Sequence, residues 1–213
     1  MQLLLDAYTY FLANQDRFWE ALGRHLSLSL SALALSILIG VPLGIWIVRR
    51  ARAAQLVING FGALRLVPSL AILFLALPYL GTGFRPALLA LTVLPLPPVL
   101  INTYAGLHNV DRALTEAAYG MGLEARQVLG RIELPLALPA IIAGIRTAAV
   151  EVVSSATLAA FIGGGGLGDF ITRGFALYEP RIMLVGAIPV ALLALAAEGI
   201  LGGVQRVFSV PEA

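Results

Sequence analysis

The stretch that decides the fold is Leu26-Ser-Leu-Ser-Leu-Ser-Ala-Leu-Ala-Leu-Ser-Ile-Leu-Ile-Gly-Val-Pro-Leu-Gly-Ile-Trp-Ile-Val48, followed at once by Arg49-Arg-Ala-Arg52. Twenty-three residues without a charge make roughly 35 Å of helix, enough to cross a hydrocarbon layer. Three arginines beside the span mark its cytoplasmic end, which puts the amino terminus outside.

The rest of the chain has the same character. Of 213 residues, 59% are apolar and only 12% charged, and the mean hydropathy is +0.91. Such a composition implies a multi-pass membrane protein with little room for an extramembrane domain. All 14 basic residues are arginine, and a net charge of +2 is too small for a nucleic-acid footprint. The absence of cysteine excludes thiolate chemistry and disulfides, and two isolated histidines, His25 and His108, read as boundary or loop residues rather than as metal ligands.

Outward from the first span, residues 1–25 lack a secretory-signal pattern and read as an interfacial helix, with Tyr8, Tyr10, Phe11, Phe18 and Trp19 at headgroup level. Further spans are expected at about 56–80, 86–106, 136–161 and 182–204, within a permease domain of residues 26–206 followed by a tail, 207–213. Pro68 and Pro78 interrupt the second span and Pro95, Pro97 and Pro98 the third, as in helices that line or gate a path, although kinks in a packed bundle would read the same. By alternation, seven arginines (Arg49, Arg50, Arg52, Arg112, Arg126, Arg131, Arg206) face the cytoplasm and three (Arg85, Arg173, Arg181) the outside. The carboxyl terminus is then cytoplasmic.

Residues 107–135 form the longest polar stretch. Asp111 or Thr115 can cap a short helix over Ala113–Tyr119 closed by Gly120 and Gly122, and Leu123–Ile132 offers a second helix ended by Pro135. A helical hairpin with a small-residue face at Ala117, Ala118 and Gly122, flanked by Glu116, is suited to docking.

Glu116-Ala117-Ala118, three residues, Gly122, nine residues, then Ile132-Glu133-Leu134-Pro135 resembles the Glu-Ala-Ala motif of permease subunits of ATP-binding-cassette importers. The resemblance implies an all-α membrane fold with about five transmembrane helices, the type I importer permease fold. It also implies that the loop is a coupling element, in which Glu116, Ala117, Ala118 and Gly122 contact an ATPase while Ile132, Leu134 and Pro135 join it to the fourth span. Partners follow from the same resemblance: a second permease chain, two ATPase subunits that bind ATP and magnesium, and an extracytoplasmic substrate-binding protein. The chain itself would hold no cofactor, catalyse nothing, and reside in a bacterial or archaeal cell membrane.

Val67-Pro-Ser-Leu-Ala71, Asn102-Thr-Tyr-Ala-Gly106, Ala143-Gly-Ile-Arg-Thr147, Ala156-Thr-Leu-Ala-Ala160, Gly163-Gly-Gly-Gly-Leu-Gly-Asp169 and Gly186-Ala-Ile-Pro-Val-Ala-Leu-Leu-Ala194 resemble the subfamily that imports glycine betaine, choline and carnitine. An arginine like Arg65 also precedes the proline in methionine importers, so a methionine or other amino-acid permease is an alternative. An ion-coupled secondary transporter is a second alternative, but it leaves the coupling motif without a purpose.

Arg65 and Glu151 are ionisable residues at membrane depth and therefore candidates for the substrate pathway, with Pro68, Ser154 and Ser155. Glu151 could favour a quaternary ammonium cation, or it could pair with Arg146 or Arg65 and only hold the bundle together. The run Gly163 to Gly166 lacks the Lys-Ser/Thr of a phosphate loop and reads as a tight turn at the pathway mouth, where a binding protein would deliver substrate.

Overall fold

The computed structural model describes residues 1–208, and within them the chain is helical with no strand. Its first helices are α1 (Gln2–Ala13), α2 (Gln15–Ile47), α3 (Ala51–Leu64), α4 (Ser69–Leu80), α5 (Phe84–Val93) and α6 (Leu96–His108). They are followed by α7 (Arg112–Gly120), α8 (Ala125–Val128), α9 (Leu134–Ser155), α10 (Gly168–Ala176) and α11 (Pro180–Phe208). A π-helical turn, Leu129–Glu133, joins α8 to α9, and a 3₁₀ segment, Ala156–Ile162, extends α9. Of the expected tail, residues 207 and 208 close α11 and the rest lies outside the described residues.

Four continuous helical stretches are long and apolar enough to cross a membrane: Gln15–Ile47, Phe84–His108, Ala125–Ile162 and Pro180–Phe208. α3 and α4 pass the same test only as a pair, and they meet at 95°. A single interrupted span over 56–80 is therefore corrected to a sharply broken one. Pro68 accounts for the break: it lacks an N–H for α3 to bond, forces Val67 out of the helical region, and itself caps α4.

The first span also differs from the sequence reading at its amino-terminal end. Its helix begins at Gln15 rather than Leu26, because the polar residues 15–25 include good helix formers that carry the helix on beyond the apolar run. Asn14 separates it from α1, which folds back so that Ala7 packs with Phe18, Leu167, Phe170, Ile182, Val185 and Val190.

Close packing in the centre depends on small residues, as it does where lipid supplies no hydrophobic drive between helices. Gly40 and Gly44, a four-residue repeat on α2, let Val99 and Thr103 of α6 approach the backbone. Gly144 of α9 does the same for Pro98 and Asn102, and Gly106 for Ala137 and Ala140. The helix break between α5 and α6 is served by a side chain: Ser36 donates to the Thr92 carbonyl at 2.8 Å.

Candidate functional site

The hairpin expected at 107–135 is present. Asp111 caps α7 by accepting from the Ala113 amide at 2.9 Å, and Glu124 and Gln127 form a reciprocal capping box on α8. Gly122 takes φ +86°, a left-handed turn that a side chain would strain, and the Leu123 amide closes the turn onto the Ala118 carbonyl. Pro135 does not end the second arm as the sequence suggested. It lies where the π-helical turn passes into α9, so the arm runs on through that turn into the span.

Glu116, Ala117 and Gly122 are exposed, but Ala118 is fully buried where α7 meets α8. Its small side chain lets the two arms close. The exposed apolar surface comes instead from Leu114, Tyr119 and Met121, which the motif does not contain. Their signal in the sequence was large apolar residues within an otherwise polar loop.

Ile132 and Leu134 are half-buried at the root of the hairpin. Leu129 and Leu134 pack on the buried Leu107, Ala137 and Ile141, the cluster that also receives Val41 and Ile45 of α2 and Val48 just beyond it. One ion pair crosses the same junction: Arg49, at the end of α2, lies 3.1 Å from Glu133 in the π-helical turn. The hairpin is thus joined to α2 and α9 by apolar packing and by charge.

The pathway candidates lie elsewhere. Arg65 ends α3 and Pro68 begins α4, both exposed at the 95° bend. Glu151 is half-buried on α9, with Ser154 exposed and Ser155 partly so. Arg65 is near enough for its charge to act on the Glu151 carboxylate, yet no ion pair of 4.0 Å or less joins them. Arg146 is not the partner, because it binds Glu198 at 3.2 Å and donates to Gln205 at 3.0 Å.

At the opposite end of the molecule from the hairpin, the glycine run is anchored by two α2 residues. Arg24 donates to the Gly164 carbonyl at 2.8 Å and lies over the Phe84 ring. His25, expected at a boundary, is completely buried beneath Gly166, with Nε2 3.1 Å from the Val153 carbonyl. Gly163, Gly165 and Gly166 all have positive φ. A charged cleft of about 320 Å³ opens beside the run, lined by Arg17, Glu20, Arg24, Asp169, Phe170 and Arg173 among others. Partial desolvation pushes the Asp169 carboxyl above the usual range, and the charge of Arg24 opposes this. His108 is the ordinary case among the two histidines, stacked on Tyr104 at the end of α6. Among the described residues no cluster of side chains could hold a metal ion.

A carnitine transport permease protein, OpuCB of Listeria monocytogenes, is 45% identical over 197 residues, 92% of this chain and 90% of that protein. The glycine betaine/carnitine/choline transport system permease protein OpuCB of Bacillus subtilis is 40% identical over 198 residues, 93% and 91% of the two chains. Among solved structures, an inward-facing MetNI methionine transporter superposes with a TM-score of 0.82 over 92% of this chain and 98% of that one. At 20% identity it establishes the type I importer permease fold and nothing about substrate. The family described as the inner membrane component of binding-protein-dependent transport systems matches residues 30–209, and the chain belongs to it as a multi-pass membrane permease.

Proposed function

We propose that the chain is the permease subunit of an importer for small quaternary-ammonium osmoprotectants, such as glycine betaine, carnitine and choline. The observation that carries this reading is the likeness, at 40–45% identity over nearly the full length, to permeases named for those substrates. A methionine permease rests only on the shared fold at 20% identity. An ion-coupled secondary transporter is set aside by membership of a binding-protein-dependent family.

The hairpin α7–α8 supplies the coupling. Glu116, Ala117 and Gly122, with Leu114, Tyr119 and Met121 around them, dock a partner ATPase on the cytoplasmic side, where ATP and magnesium are bound and hydrolysed. Ala118 closes the hairpin, and Ile132, Leu134 and Pro135 join it rigidly to α9. The arginines Arg49, Arg50 and Arg52 hold the same face in the cytoplasm, the amino terminus lies outside, and a binding protein docks over the glycine run. A second permease chain completes the pathway, lined on this side by Arg65, Pro68, Glu151, Ser154 and Ser155.

The test is ATPase activity of the reconstituted assembly with its binding protein. Stimulation by glycine betaine, carnitine or choline, and its loss in Glu116→Arg, is expected. Stimulation by methionine and by none of the three would refute the substrate.

A further inference from the structure

The cleft beside the glycine run has a charge pattern that the coupling mechanism leaves unused. Five charged side chains face it, three arginines and two carboxylates, and no ion pair of 4.0 Å or less and no side-chain hydrogen bond joins any two of them. Arg24 is occupied in holding the Gly164 carbonyl. Arg17 and Arg173 on one hand, and Glu20 and Asp169 on the other, the latter within the field of Arg24, therefore present charge of both signs to one small space without a direct ion pair. Solvated rim charges of opposite sign usually pair or point apart, whereas these surround a cleft at the small end of the range for small-molecule sites.

The walls are preorganised. Phe170, almost fully buried, is among the lining residues, and its ring is supported by Phe18 at 6.3 Å. Gly165 stands against the Arg24 side chain and Gly166 against His25, both at a positive φ that any side chain would strain. His25 in turn rests on the carbonyl of Val153, adjacent in sequence to Ser154 and Ser155. The floor of the cleft is thus one residue layer from the last turn of α9.

We infer that this cleft is a transit site for a zwitterion bearing a quaternary ammonium and a carboxylate, with Arg17 and Arg173 taking the carboxylate and Glu20, Asp169 and the Phe170 ring taking the ammonium. The chemistry matches group by group: guanidinium groups recognise carboxylates, and a desolvated cation is attracted both to carboxylates and to an aromatic surface. The charges are accessible to water, so affinity is weak and the site releases what it receives. This inference rests on the proposed osmoprotectant function and goes further, since it assigns substrate groups to residues.

Choline provides the test, because it has the quaternary ammonium but no carboxylate. In the full assembly with loaded binding protein in excess, Arg17→Gln with Arg173→Gln should lower the ratio of glycine betaine to choline uptake about fivefold, two exposed charge contacts each contributing roughly two- to threefold. Carnitine should follow glycine betaine. Glu20→Gln with Asp169→Asn should lower uptake of all three and leave that ratio within about twofold. A ratio unchanged in the arginine variant overturns the inference: an equal fall for every substrate would make the cleft a docking surface for the binding protein, and no fall would make it a solvated rim. A wild-type assembly that imports none of the three refutes the osmoprotectant reading itself, and the inference falls with it.

Discussion

Gly144→Ala tests the seam on which the α7–α8 hairpin stands. The hairpin hangs between α6 and α9, and these helices touch most closely at Gly144, where a Cβ would lie 2.6 Å from the Asn102 Cβ and 2.7 Å from the Pro98 carbonyl oxygen. Ordinary contacts begin near 3.4 Å, so the helices must part by most of an ångström along a seam that Gly106 also keeps tight. Overpacking of this kind costs about 1–3 kcal/mol. Alanine gains about 1 kcal/mol in helix propensity over glycine, which would mask part of the loss. Gly199→Ala on α11 removes the ambiguity, because it makes the same propensity change with nothing within 4 Å. The difference between the two variants isolates the clash. Denaturant unfolding of the detergent-solubilised chain, followed by its two tryptophans, should place Gly144→Ala about 1–3 kcal/mol below Gly199→Ala. Equal stability of the two would mean that α6 and α9 are not packed backbone to backbone, and the rigid base of the hairpin would be lost with that packing.

Other tests bear on the hairpin and the outer face. Gly122→Ala forces a side chain into φ +86° at a cost of about 1–2 kcal/mol, and should reduce substrate-stimulated ATPase activity in assembled importer, with Gly122→Asn milder. Arg49→Glu and Glu133→Arg should each lower transport per ATP hydrolysed, and the combined swap should restore it; no recovery in the double variant would remove the 3.1 Å pair from the coupling route. Asp169 has a raised carboxyl pKa in the folded chain, so its contribution to stability is greatest below the unfolded value of 3.8 and is lost as pH rises through the folded one. Asp169→Asn should accordingly raise the thermal midpoint at pH 7 and have no effect below pH 3.8, and a gain that persists in acid would point to a cause other than ionisation.

What the sequence revealed depended on how far apart the interacting residues lie. Spans follow from runs of apolar residues, and the hairpin from a motif within 20 positions, so both were legible. The outer cleft was not, because Arg24 and Gly164 are 140 residues apart and each of its charges alone looks like an ordinary span-flanking residue. Proline was ambiguous for another reason. The same missing N–H breaks the chain at Pro68 and leaves the helix continuous at Pro135, which follows a π-helical turn that no local pattern announces. The burial of His25 is not legible either, because it comes from the glycine run more than 130 residues away, with Gly166 packed against it.

The misreading of Pro135 also changes the mechanical picture. With no break there, Ala125–Ile162 is one helical stretch of 38 residues, about 55 Å long, from the second arm of the hairpin to the first glycine of the run. The Arg49–Glu133 pair, and the packing of Leu129 and Leu134 on the Leu107, Ala137 and Ile141 core shared with α2, fix it near its hairpin end. A tilt imposed on the hairpin is therefore amplified toward the far end, where Gly164 is tied to Arg24 and Gly166 lies on His25. Under the proposed coupling, ATPase closure at the inner face would move the walls of the charged cleft without any separate signal, since one rod belongs to both. Loosening the rod at its π-helical turn, for example with Gly inserted after Gly130, should then leave ATP hydrolysis running while uptake stops. Uptake that survives the insertion at an unchanged ratio to hydrolysis would show that the outer face is moved by another route.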